Sequence, residues 1–145
     1  MHAGRTALFG LLLAAAALAH AGSASLQVSA VVAPRVSAVV EDSPRVIQVA
    51  AADVTRGYVD FDAPVVIHLR SNLAHAFVLQ MQSDTSAVAR IEARTLAGPA
   101  QPTAGGLLVP PAAGQRQIVV RLRFVLAPDT APGHYPWPLR LAGTA

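Results

Sequence analysis

Between residues 117 and 126 the chain alternates without a slip. Ile118, Val120, Leu122, Phe124 and Leu126 fall on one side, Gln117, Val119, Arg121 and Arg123 on the other. A period of two is the repeat of a β-strand, whose successive side chains point to opposite faces. The same period returns at 64–70, where Val65, Ile67 and Leu69 oppose Val66, His68 and Arg70. It returns again at 76–82, where Phe77, Leu79 and Met81 oppose Val78, Gln80 and Gln82. Residues 35–40, 45–50, 87–95 and 106–109 are weaker strand candidates. Beyond the first 24 residues no apolar stripe of period 3.6 runs longer than a turn or two. The spacing therefore predicts an all-β domain.

Turn chemistry separates these runs: Glu41-Asp42-Ser43-Pro44, Arg56-Gly57, Ser71-Asn72, Ser83-Asp84-Thr85-Ser86, Gly98-Pro99, Gly105-Gly106, Pro110-Pro111 and Ala127-Pro128-Asp129. Short strands every 8–12 residues or so point to an immunoglobulin-like β-sandwich of about seven short strands, with a closed barrel as the second choice. Residues 98–114, rich in Pro, Gly and Ala, read as a long loop broken by a short edge strand. There is no internal repeat and no linker, so one domain is expected. The chain has no cysteine, which removes disulfides and thiolate metal sites; the fold must rest on core packing.

The amino end is of another kind. A basic start (residues 1–5) leads into the unbroken apolar run 7–19. That run has the size of an export signal's central region and falls short of the ~20 residues that span a bilayer. Small residues then permit cleavage after Ala21, or after Ala19 or Ala24. The reading is a signal helix over residues 1–21, an exported domain over 22–145, and no membrane span once the signal is removed. Residues 25–33 follow at once, with Leu26, Val28, Ala30 and Val32 on one face of a predicted strand. Every basic residue is Arg, and the Arg are scattered among eight acids. The formal net charge of +3 makes no nucleic-acid stripe.

At the carboxyl end, Pro132-Gly133 makes a corner and Tyr135 enters the last strand. A tyrosine there can bury its ring and tie its hydroxyl to nearby backbone. Gly133, Tyr135 and Trp137 are thus the expected structural corner. Pro136 and Pro138 flank Trp137 and remove ladder donors on one side only, so this strand belongs at a sheet edge or in an irregular end.

An export signal followed by Leu26-Gln27-Val28-Ser29-Ala30, a Val46-x-x-Val49 leading to Asp53-Val54-Thr55-Arg56-Gly57-Tyr58-Val59, and a Gly133-x-Tyr135 opening to a closing strand form one layout. It resembles exported pilin-type subunits, in particular the spore coat U-like group of the chaperone–usher class. The resemblance implies an Ig-like fold lacking its last strand, completed by a neighbouring subunit's leading segment in donor-strand addition. Leu26, Val28, Ala30 and Val32 would then be the residues that enter the neighbour. It further implies neighbouring subunits, a periplasmic chaperone and an usher as partners, and the periplasm or cell surface as location. The alternative is a periplasmic binding or accessory module that completes its own sandwich with the same strand.

Catalytic chemistry finds no foothold by motif. There is no cysteine nucleophile, Gly-x-Ser-x-Gly elbow or phosphate loop, so no enzyme and no cofactor is expected. His68, His75 and His134 lie on different predicted elements and read as surface histidines. Cleavage after Ala19 would expose His20 as an amino-terminal Cu(II) chelate, given a second histidine nearby. Asp60 and Asp62 share a strand face, with Asp53 close in sequence. They read as solvated carboxylates near Arg56 rather than a Ca²⁺ site, which needs more converging oxygens. Tyr135 and Trp137 suit edge packing better than a sugar platform.

Overall fold

The computed structural model describes residues 30, 32–111 and 113–144. Residues 1–21, read above as an export signal, and Leu26 and Val28 lie outside the described residues, as does His20 within that stretch. The described residues form ten strands and one short helix: β1 (Val36–Val40), β2 (Val46–Val49), α1 (Ala51–Arg56), β3 (Tyr58–Ser71), β4 (Phe77–Ser83), β5 (Val88–Ala97), β6 (Gln101–Thr103), β7 (Gly106–Val109), β8 (Gly114–Leu126), β9 (Gly133–Pro136) and β10 (Leu139–Thr144). The strands make two four-stranded antiparallel sheets, β1-β3-β8-β5 and β10-β4-β7-β6, and a two-stranded ribbon, β2-β9. The protein is an all-β sandwich.

The core is what the alternation demands. Ile67 stands opposite Ile118, and Val65 opposite Val120, on the inner face of β3 and β8; Leu79 stands opposite Leu107 on the inner face of β4 and β7. These six, with Leu122 and Phe124, are essentially without solvent contact, and residues of both sheets join in one apolar cluster. Phe124 meets the Trp137 indole edge-on at 5.3 Å, and Phe61 meets it at 5.1 Å, the T-shaped arrangement that aromatic quadrupoles favour.

Four features differ from the sequence reading. The strands number ten rather than about seven, and β3 and β8 are long, at 14 and 13 residues. Pro64, read as a strand start, instead lies in a register shift between Phe61 and Val65, and β3 runs on through it to Tyr58. A bulge tolerates a proline because the ladder is already interrupted there. Part of the excess in strand number lies in residues 98–114, read above as a long loop broken by a short edge strand, where Gln101–Thr103 and Gly106–Val109 form a β6–β7 hairpin with β6 rather than β7 at the edge.

The third difference is α1, six residues that no apolar period could announce. Asp53 Oδ2 accepts the Ala50 N–H at 2.9 Å, and Arg56 pairs with the same carboxylate. Gly57, at φ 81°, closes the turn by donating to the Asp53 and Val54 carbonyls. A left-handed cap of this kind favours glycine.

The fourth is the carboxyl end, which is two strands. Gly133–Pro136 pairs with β2, and the chain then crosses at Trp137-Pro138 to pair with β4 as β10. Pro136 and Pro138 bracket the crossing, where ladder bonds change partner and their missing N–H groups cost least. Pro138 is fully buried, and the Trp137 main-chain N–H donates to the Arg45 carbonyl at 3.0 Å. The Tyr135 hydroxyl donates to the Ala131 carbonyl at 2.7 Å, tying the corner.

Phe124→Ala should lower the free energy of unfolding by about 3–5 kcal/mol, the range for emptying a filled aromatic site. Tyr135→Phe should cost only about 0.5–1.5 kcal/mol, the worth of one hydrogen bond. Urea unfolding of the two variants beside the parent checks both, and equal costs would contradict this division.

Candidate functional site

The two outer strands on one side of the sandwich, β1 and β10, each have a free edge. In β10, the Asp84 N–H donates to the Pro138 carbonyl at 2.9 Å, so Pro138 turns its carbonyl toward β4. Antiparallel bonding alternates along a strand, so Arg140 and Ala142 also bond to β4. Leu139, Leu141 and Gly143 therefore direct their N–H and C=O groups away from it. The same reasoning applies to β1. Its neighbours Arg35 and Glu41 bond to Asn72 and Val66, so Val36, Ala38 and Val40 point their main-chain groups away from β3. Among the described residues no strand lies beyond either edge. Neither row contains a proline.

Apart from Leu139, which is buried, the side chains of these rows face inward but are incompletely covered. Val36, Ala38, Val40 and Leu141 are half-buried against the core, whereas the matching residues of β3 and β8 are sealed. The opposite side of the sandwich is protected. There β6 places Pro102 on its edge, and β5 breaks its ladder twice, between Val88 and Arg90 and between Thr95 and Ala97. Prolines and bulges are the usual devices that blunt an edge. β1 and β10 carry neither. Relabelled by role, β1, β3, β8 and β5 take the A-B-E-D order of an immunoglobulin-type sheet, and β10 beside β4 takes F beside C. The place of the seventh strand, next to β10, holds no described strand.

The segment leading into β1 is held at one point. Asn72 donates through Nδ2 to the Ala33 carbonyl at 2.8 Å and accepts the Arg35 N–H on Oδ1 at 2.6 Å. Ahead of this clamp, Ala30 is exposed and Val32 is 75 % exposed. Of the four expected donor residues these two are described, and both are exposed.

The remaining candidates stay apart. His68, on the outer face of β3, pairs with Glu41 at 2.8 Å; His75 is in the exposed β3–β4 loop; His134 is on β9 opposite Gln48. Among the described residues no group of three or more His, Asp or Glu is placed to hold a metal ion. Asp60 is engaged by Arg123, which donates from Nε at 2.7 Å and from Nη2 at 3.1 Å, rather than by Arg56. The Arg123 guanidinium also lies 4.1 Å from the centre of the Tyr58 ring. Asp53 faces its own helix, away from a shared site with Asp60 and Asp62. Trp137 turns its ring to Phe61 and Phe124, as core packing does.

The Ala50 N–H holds the Asp53 carboxyl below the usual carboxylate range, with Arg56 adding to it; the Arg123 hydrogen bonds do the same for Asp60. A carboxyl depressed in the folded state stabilises fully above its unfolded value near ~3.9, and the contribution is lost as pH falls through the folded value. Thermal unfolding followed from pH 7 to pH 2 should therefore show a shallower acid limb for Asp60→Asn and for Asp53→Asn than for the parent. At pH 7 solvent screening keeps the contribution of the exposed Asp60–Arg123 pair small. Superimposable acid limbs would contradict the assignment.

The last strand was expected at a sheet edge, as β10 is, whereas the open edge of β1 was missed, although a signal was there. Two short strands, 36–40 and 139–144, lack the edge prolines found elsewhere in this chain. No protein-family model, curated protein or solved structure matches the chain.

Proposed function

We propose that this chain is an exported structural subunit, of the kind that builds a fimbrium or surface appendage, completed by a strand from a neighbouring copy. The reading rests on one observation: β1 and β10 present two unblunted edges whose inward residues Val36, Ala38, Val40 and Leu141 are only half-covered. An extended segment added there gains main-chain hydrogen bonds for affinity and places alternate side chains for specificity. Leu26, Val28, Ala30 and Val32 supply the required alternation, and Val32 is 75 % exposed. The export signal read in residues 1–21 agrees with assembly outside the cytoplasm. A periplasmic chaperone and an usher are the partners such assembly calls for. The role is structural; no residue is assigned a catalytic part.

The second reading is a periplasmic accessory module completed by its own leading strand. The same two edges serve it, and the two readings separate on truncation. Under strand exchange, protein starting at Pro34 stays folded and gains thermal stability when a peptide of residues 25–33 is added. Under self-completion, the chain from residue 22 is a stable monomer that ignores the peptide, and truncation unfolds it. Circular dichroism melts with size-exclusion chromatography distinguish the outcomes.

A further inference from the structure

The outward face of the β1-β3-β8-β5 sheet is laid out in rows that the strand register fixes. Asp60 of β3 stands opposite Arg123 of β8, and Val66 opposite Val119. Between these rows β3 bulges, so no single residue stands opposite Arg121. Asp62, in the bulge, shares a surface hollow with Arg121 and with Arg94 of β5. Along this stretch acids lie on the β3 side of the sheet's midline, arginines on the β8 side, and a valine on each.

One row is at odds with the rest. Arg121 stands directly opposite Arg94. Like charges so placed repel each other. The neighbouring charges are matched: Arg123 holds Asp60, and Arg90 holds Glu92, each at 2.7 Å. The side chains of Asp62, Arg94 and Arg121 are exposed and have neither hydrogen bond nor ion pair with a described residue. At the far edge of the same face β1 runs out beside Val66, where Glu41 donates its N–H to the Val66 carbonyl, and the chain turns at exposed Asp42.

We propose that this face is an interface between two copies of the chain, related by a twofold axis that runs parallel to the strands between β3 and β8. Such a turn lays β3 of one copy on β8 of the other, and β1 on β5. The rows then meet their complements. Val66 of one copy meets Val119 of the other, Asp62 meets Arg121, and the turn at Asp42 comes to Arg94. Each contact occurs twice, as an isologous interface requires. Facing sheets pack about 10 Å apart with their strands within about 30° of alignment, so rows near the axis stay in step. The repulsion between Arg94 and Arg121 in a single copy is offset by acids of the other. Charge matching of this kind sets register and partner choice more than affinity. Val66 and Val119, only half-buried in one copy, supply the apolar centre. The contact uses the face of the sheet and neither the β1 nor the β10 edge, so it goes beyond strand exchange and does not depend on it.

The test follows the chain from residue 22 by sedimentation velocity. The parent should associate reversibly, and more weakly as salt rises from about 50 to about 500 mM. Asp62→Arg and Arg121→Asp should each weaken association at least about tenfold, because each variant's own dimer faces like charges twice. An equimolar mixture of the two variants should recover association, because in the mixed dimer both contacts pair opposite charges. Both positions are exposed, so each variant should keep the parent's circular dichroism spectrum. A parent chain that stays monomeric at about 1 mM overturns the interface. Association that neither reversal weakens, as strand exchange alone would give, overturns it too and leaves the strand-exchange reading standing. Association that both reversals weaken and the mixture does not recover overturns the twofold arrangement.

Discussion

Everything in this sandwich hangs on the pairing of β3 with β8. The two longest strands lie side by side at the centre of one sheet, in register from Ser71 opposite Gly114 to Tyr58 opposite Val125, with one bulge. Their inward residues, from Val65 and Ile67 to Ile118 and Phe124, are the sealed part of the core. Since side chains alternate strictly along a strand, one register commits every one of them at once; a slip of one residue would turn the core face to water. The other sheet, the β2-β9 ribbon and the Trp137 crossing pack against a surface that this pairing has already set.

A spine of that kind leaves the margins to carry the differences. On one margin the chain spends a proline at Pro102 and two ladder irregularities in β5 to keep its edge unattractive. On the other it spends nothing, and the inward residues Val36, Ala38, Val40 and Leu141 remain half-covered. Unpaired main-chain groups beside partly exposed apolar side chains form a liability in a protein that works alone. They form an acceptor in one that is completed by another strand. That asymmetry links the packing to the proposed role. Gly143 refines it, since the absence of a side chain there is what lets β1 approach β10.

Much of this was legible along the chain. The 106–109 strand and the 117–126 alternation coincide with β7 and with the body of β8. Such runs are legible because half-burial writes itself as a period of two. The places that were not legible have specific causes. Six residues are too few to display a helical period, so α1 was silent until Asp53 and Gly57 were seen capping it. Pro64 looked like a strand boundary, because a proline interrupts a ladder whether the strand stops or only bulges. Pro136 and Pro138 looked like the marks of one edge strand, yet they bracket a change of sheet.

By itself, then, the sequence determined that this protein is built of strands, that no disulfide staples them, and which side of each strong strand is apolar. These are local properties, carried by the alternation of neighbours and by the residues present. That β1 is an edge strand, which edges are blunted, and that Val36 comes to rest over Gly143 are decisions of the tertiary structure alone. They join residues more than a hundred positions apart, and no local period records where two distant strands will meet.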